Sequence, residues 1–234
     1  MAGRHVRDTL LAALAGVLLG TGVYWVTAPD LAAGQQQQVS PLAPTEMQDL
    51  LSRSVLRADV RACGVHRQGT VTVLDRDGSP SGFTNAHVVR GAATAQVSGG
   101  RMGVADGLVS SYLADRDAAA VDLTGLSPSA GSGLVAGPLP SVGDPVVLAG
   151  FPRGSWTVSD GNVAAIEARS GWGSVSDVLL VDVPVQQGIS GGVVVDVEGR
   201  AVGLIVARDP GTGWAVAYPI GDVLDRPEGP RASC

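Results

Sequence analysis

Ser190 stands among glycines in Gly188-Ile189-Ser190-Gly191-Gly192, just ahead of the β-branched run Val193-Val194-Val195. Glycines placed this way serve a tight turn, or they let backbone N–H groups converge on a ligand beside an exposed hydroxyl. A serine hydroxyl is a weak nucleophile until a base takes its proton, so the second use requires a histidine within reach. The chain has 3 histidines: His5 near the N-terminus, His66 in "GVHRQG" and His87 in "GFTNAHVVRGA". The base in turn needs an acid to fix its tautomer. Asp115, Asp117 and Asp122 compete for that role in "ADRDAAAVDL". Asp117 precedes small and apolar residues, as an acid entering a buried strand would. Asp115 shares a charged turn with Arg116, and alternation sets Asp122 on the opposite strand face from Ala119 and Val121. The residues alone leave the choice open.

Short strands are the elements that must hold such groups. The chain of 234 residues is 45% hydrophobic with 33 glycines and 4% aromatics, and its valines recur in brief runs separated by Gly, Pro, Asp and Ser. Strand-like runs cover residues 69–75, 107–115, 144–151, 178–185, 192–197, 201–207 and 213–220, with turns expected at Asp77-Gly78, Asp160-Gly161 and Glu198-Gly199. A Gly/Ser/Pro-rich break over 125–141 divides them into similar halves. The expected fold class is all-β: two small β-barrels, 59–130 and 131–234, with a site in the cleft between them.

Residues 9–28 carry no charge and are long enough to cross a bilayer. Arg4 and Arg7 precede this segment and Asp30 follows it, so residues 1–8 are expected to stay cytoplasmic and the rest to be exported. A cleavable signal peptide is the competing reading, with small-residue sites ending at Ala28 and Ala33. Residues 29–58 read as a Pro- and Gln-rich linker followed by a short amphipathic helix, with Thr45 available as N-cap and Met47, Leu50, Leu51, Val55 and Leu56 on its apolar face.

The 2 cysteines, Cys63 and Cys234, match no zinc-site spacing. In an exported domain a disulfide between them would pin the C-terminus to the first strand; two free thiols are the alternative. The net charge of −6, with all 16 basic residues arginine and scattered singly, offers no stripe for a phosphate backbone, which argues against a nucleic-acid partner.

Taken together and in order, "TNAHVV", "DAAAV" and "GISGG" resemble the signature blocks of the trypsin-like, chymotrypsin-fold serine peptidases, most similarly the bacterial HtrA-type and membrane-anchored branch. "GDPVVLAGFPRG", "GNVAAI", "GRAVGLIVA" and "TGWAVAYPI" extend the likeness over roughly Val60 to Val223. The resemblance implies six-stranded barrels, a polypeptide substrate and no metal or organic cofactor. It makes Ser190 the nucleophile, His87 the general base and Asp117 the orienting acid, with the N–H groups of Gly188 and Ser190 as oxyanion hole. It also implies a primary pocket at Pro184, Val206, Ala207 and Trp214, which suggests an apolar preference. No PDZ-like segment follows the last strand-like run, so none is expected. One departure stands out: the family commonly places Asp or Asn before the serine, and here Ile189 takes that place. Isoleucine cannot receive a new N-terminal ammonium, and it is expected to loosen the oxyanion turn. Two other readings stay open, a pseudopeptidase keeping the fold as a binding scaffold and an esterase using the same three residues.

Overall fold

The structure is a computed structural model that describes residues 40–99, 103–113, 116–123, 133–171, 174–224, 228–229 and 234. The expected membrane segment 9–28 lies outside these residues, and among them no helix is long and apolar enough to cross a membrane.

Helix α1 (Pro44–Ser54) opens the described chain. It begins at Pro44 rather than after Thr45, because proline's fixed φ and missing N–H suit the first helical position. Glu46 Oε2 accepts a hydrogen bond from the Ala43 N–H at 3.0 Å, closing the first turn. Val55 and Leu56 are not helical as expected: they start strand β1 (Val55–Ala62). β-Branched Val55 is fully buried, and the strand alternates inward from Leu56 through Ala58 to Val60.

The first barrel comprises β1, β2 (Val65–Arg76), β3 (Ser79–Thr84), β4 (Thr94–Ser98), β5 (Val104–Leu113) and β6 (Ala118–Asp122). It runs in the order β5-β4-β1-β2-β3-β6 and closes through β5 with β6. The second comprises β7 (Pro145–Gly150), β8 (Thr157–Gly171), β9 (Ser174–Pro184), β10 (Val193–Asp196), β11 (Ala201–Arg208) and β12 (Trp214–Pro219), closed in the order β10-β11-β12-β9-β8-β7. Both are antiparallel. Helix α2 (Ala86–Val89) follows β3, helix α3 (Ile220–Leu224) follows β12, and the short β13 (Glu228–Gly229) pairs with β5.

Valine runs occur where strands are buried on both faces. In β10, Val194 points into the second barrel's core with Val146 and Leu148, whereas Val193 and Val195 join Leu74, Phe83 and Leu134 in a cluster that draws on both barrels. Leu51 of α1 is sealed into that same cluster. The chain between barrels is stitched to each: Leu134 bridges Leu74, and Ala136 bridges Ala201.

Two expected turns form as read. Asp77 and Gly78 take φ of 54° and 81° between paired Arg76 and Ser79, and Gly199 turns at φ 79° between β10 and β11. Asp160-Gly161 is no turn: both residues lie inside β8, paired with Val147 and Val146. An unexpected hairpin stands at Cys63-Gly64, φ 53° and 73°, and its Cys63 is disulfide-bonded to Cys234.

Candidate active site

The loop from Gln186 to Gly192 is gripped by β2 of the other barrel. Thr70 N–H donates to the Ser190 carbonyl at 2.8 Å, Thr70 Oγ1 donates to the Gly188 carbonyl at 3.0 Å, and Thr72 Oγ1 donates to the Gly191 carbonyl at 2.8 Å. Gly191 sits at φ 84°, and a Cβ there would overlap the Thr70 carbonyl oxygen, so the close approach requires glycine. At the other end the Gln187 carbonyl accepts from the Arg153 N–H at 2.8 Å. A trans peptide points its C=O and N–H in opposite directions, so this bond turns the Gly188 N–H away from the Arg153 backbone.

Ile189 does not loosen this turn. Its side chain is 6% exposed and packs into the second barrel's core, with Cδ1 against Gly150. Its carbonyl accepts from the Gly192 N–H at 2.7 Å. An apolar plug therefore anchors the turn where a polar residue was expected to.

His87 lies on the single turn α2, whose Val88 and Val89 are buried while the imidazole stays 48% exposed. Asp117, with a side chain only 5% exposed, sits just before β6. Its Oδ1 accepts the His87 backbone N–H at 2.8 Å, and Oδ2 is hydrogen-bonded to His87 Nδ1. Asn85 Nδ2 donates to the Asp117 carbonyl at 2.8 Å. With Nδ1 engaged, Nε2 is the nitrogen left to meet a proton donor in the cleft. Asp122 pairs with Leu108 at the far end of β6, and Asp115 lies outside the described residues.

The Asp117 turn is pinned to the second barrel. Arg116 pairs with Asp222 at 3.2 Å, and its guanidinium carbon lies 5.5 Å from the Tyr218 ring centroid. Burial pushes the Tyr218 phenol up to about 12, although a hydrogen bond from the Asp117 backbone works to lower it.

Ser190, Gly188 and His87 line one cleft of about 940 Å³. Pro184 lines it too, whereas Val206, Ala207 and Trp214 do not. Val206 is 2% exposed within the core shared by the barrels, and Ala207 and Trp214 pack against that core. Bulges between Ile205 and Ala207 and between Trp214 and Ala215 shift the strand alternation at these positions. Arg208 at the end of β11 and Thr212 and Gly213 of the loop joining β11 to β12 line the cleft instead. Asp209 holds that loop: Oδ1 accepts from the Gly211 and Thr212 N–H groups and from Thr212 Oγ1, and Oδ2 pairs with Arg169 at 2.8 Å. The Thr212 bonds and Arg169 hold its carboxyl at about 2. His66 stands at the cleft's edge, 3.3 Å from Asp59. Burial works to raise the Asp59 carboxyl, but hydrogen bonds from Arg57, Gln68 and His66 and the Arg57 charge lower it overall.

Comparison with known proteins places this fold. No curated protein matches the sequence. The active form of the Rv3671c protease from M. tuberculosis superposes with a TM-score of 0.69 at 24% identity, over 83% of this chain and 92% of that one. Its inactive form gives 0.63 at 26% identity, over 79% and 93%. A serine endoprotease from Yersinia pestis gives 0.60 at 23% identity, over 77% and 64%. The model of the trypsin-like peptidase domain matches residues 69–204, from the strand that clamps the Ser190 turn to the middle of β11. With more than half its length so matched, the chain belongs to the trypsin-like peptidase family.

Proposed function

We propose that this serine endopeptidase cleaves peptide bonds through Ser190, His87 and Asp117, by way of an acyl-enzyme. The observation that carries the reading is the paired bond of Asp117 to His87, through both the ring Nδ1 and the backbone N–H, beside the cleft that Ser190 also lines. Asp117 holds the tautomer with Nδ1 protonated, so Nε2 accepts the Ser190 proton as Oγ attacks the scissile carbonyl. The tetrahedral oxyanion then draws on the N–H groups of Gly188 and Ser190, each donor contributing roughly 3 kcal/mol to the transition state. His87 returns the proton to the leaving amine, and water repeats the sequence to release the acid.

The catalytic domain acts outside the cytoplasm, tethered by residues 9–28. The uncharged length of that segment, its basic flank and a disulfide that needs an oxidising compartment support this reading. Alkaline extraction of membranes should leave the full-length chain in the pellet; its release into the soluble fraction would favour the cleaved-signal reading.

The test of the chemistry is labelling with a serine-directed fluorophosphonate. Adduct should form on Ser190 and vanish in Ser190→Ala and His87→Ala. Absence of adduct in the wild-type chain would leave a binding scaffold, and turnover of esters without peptides would leave an esterase.

A further inference from the structure

The cleft beside Ser190 is basic in a chain whose net charge is −6. Arg67, Arg153 and Arg208 line it, and among the described residues lining it there is no carboxylate. Arg208 is placed most tellingly. Its guanidinium lies against Gly213, with Nη2 2.8 Å from where a Cβ on that glycine would stand. Gly213 accepts the Val185 N–H at 3.0 Å, and the next residue, Trp214, pairs with Pro184. The Arg208 charge therefore borders the 184–188 wall that leads to Ser190. Arg153 lies on the same wall, its N–H on the Gln187 carbonyl.

Neighbouring acids do not cancel these charges. The Asp209 carboxylate is spent on Arg169, Thr212 and its own loop, and that of Asp59 on Arg57, Gln68 and His66. Among the described residues neither Arg208 nor Arg153 has an ion-pair partner. A planar guanidinium presents a fork of donors that fits a carboxylate in two parallel hydrogen bonds, and a cleft walled by protein strengthens that attraction relative to open water. Pro184 and Val185 supply the apolar wall that a short methylene stem would lie against.

We infer that the primary subsite selects an acidic side chain, with Arg208 as the residue that determines it and Arg153 reinforcing its field. The substrates are then polypeptides cut on the carboxyl side of glutamate or aspartate. An apolar preference, expected from Pro184, Val206, Ala207 and Trp214, gives way because only Pro184 lines the cleft, Val206 being buried in the core and Ala207 and Trp214 packed against it.

This inference rests on Ser190 being the nucleophile, and the experiment separates the two. Full-length wild-type chain is labelled with fluorophosphonate and assayed on one peptide varied only at the residue before the scissile bond: Glu, Asp, Gln, Leu or Arg. Labelling of Ser190 with kcat/KM for Glu roughly 10- to 100-fold above Gln and Leu is the expected result. The Glu-over-Gln ratio should collapse toward one in Arg208→Gln, and Arg208→Glu should turn the preference to the Arg peptide, a gain that only a folded enzyme can show. Labelling with Leu preferred, or an unchanged Glu-over-Gln ratio in Arg208→Gln, overturns the inference alone. No labelling of Ser190 overturns the reading on which it rests.

Discussion

Asp117 and Ile189 show how differently single residues can be read. Small apolar residues after Asp117 made it a candidate beside Asp115 and Asp122, and only the family resemblance set it above them; the structure gives both its oxygens to His87. Its replacement by Asn keeps the size but donates where Nδ1–H must be accepted, which reverses the imidazole's tautomer. Asp117→Asn should therefore lower kcat by roughly 10⁴-fold at neutral pH with KM nearly unchanged, as steady-state kinetics would report. Ile189 was misread, because its meaning lies in a contact rather than in its neighbours: its side chain reaches the second barrel's core and Gly150, far from it in sequence. Restoring the acid usual in the family should damage this chain. Ile189→Asp would bury a carboxylate among Val146, Leu148 and Val183 and should cost about 3 kcal/mol or more, whereas Ile189→Val should cost about 1 kcal/mol. Urea unfolding of the two variants checks the order, and equal midpoints would remove the plug from the account.

Strands were readable where composition sufficed and unreadable where partners decided. The valine runs of β2, β7 and β9–β12 announce themselves, but β3 and β4 carry Ser, Pro, Gly, Thr and Gln, and their strand form comes from their neighbours in the first barrel. Asp160-Gly161 has the sequence of a turn, yet pairing with β7 on one side keeps it extended. The clamp from β2 was equally hidden, since nothing local marks Thr70 as reaching Gly188 from 118 residues away. Thr70→Val keeps the shape and removes the hydroxyl that serves both the Gly188 carbonyl and the Phe151 N–H. The cost should be about 1–3 kcal/mol in urea unfolding, with a fall in kcat larger than any rise in KM, because the turn proposed to hold the oxyanion loses its support. Asp209 acts on the β11–β12 loop in a pH-dependent way. Its folded carboxyl, lowered to about 2, lies below the unfolded value, so the stability it adds is present above about pH 4 and is lost as pH falls through 2. The urea midpoint of wild type should exceed that of Asp209→Asn at pH 5, with the gap closing as pH falls from 4 to 2; a gap constant across that window would remove Asp209's charge from the explanation.

At the scale of the molecule, two barrels were legible from runs and breaks, but the way they are joined was legible only at the cysteines. Each polar link across the interface, from the threonine clamp to the Arg116–Asp222 pair, joins residues distant in sequence and chemically ordinary where they stand. The disulfide differs because there are only two cysteines to pair, one near each end of the folded part. It runs from the Cys63 hairpin of the first barrel to Cys234, beyond the second, and closes a loop with a sequence separation of 171 that contains β2–β6 of the first barrel, the whole second barrel and all three proposed catalytic residues, leaving β1 outside. In the chain-entropy account a loop of that length stabilises by at most about 4–5 kcal/mol, chiefly by restricting the unfolded chain. Cys63→Ser with Cys234→Ser should therefore lower the urea midpoint of unfolding for the whole two-barrel unit, because every strand but β1 lies inside the closed loop and β1 is paired with β2 and β4 within it. Following each barrel with its own tryptophan probe, with Trp156 and Trp214 already in the second and a reporter added to the first, distinguishes the outcomes. Coincident shifts mean that the bridge acts on the common unfolded state. A shift in the first barrel alone would mean that the bridge merely staples its hairpin, and that the threonine clamp, not the covalent link, makes the barrels fold as one.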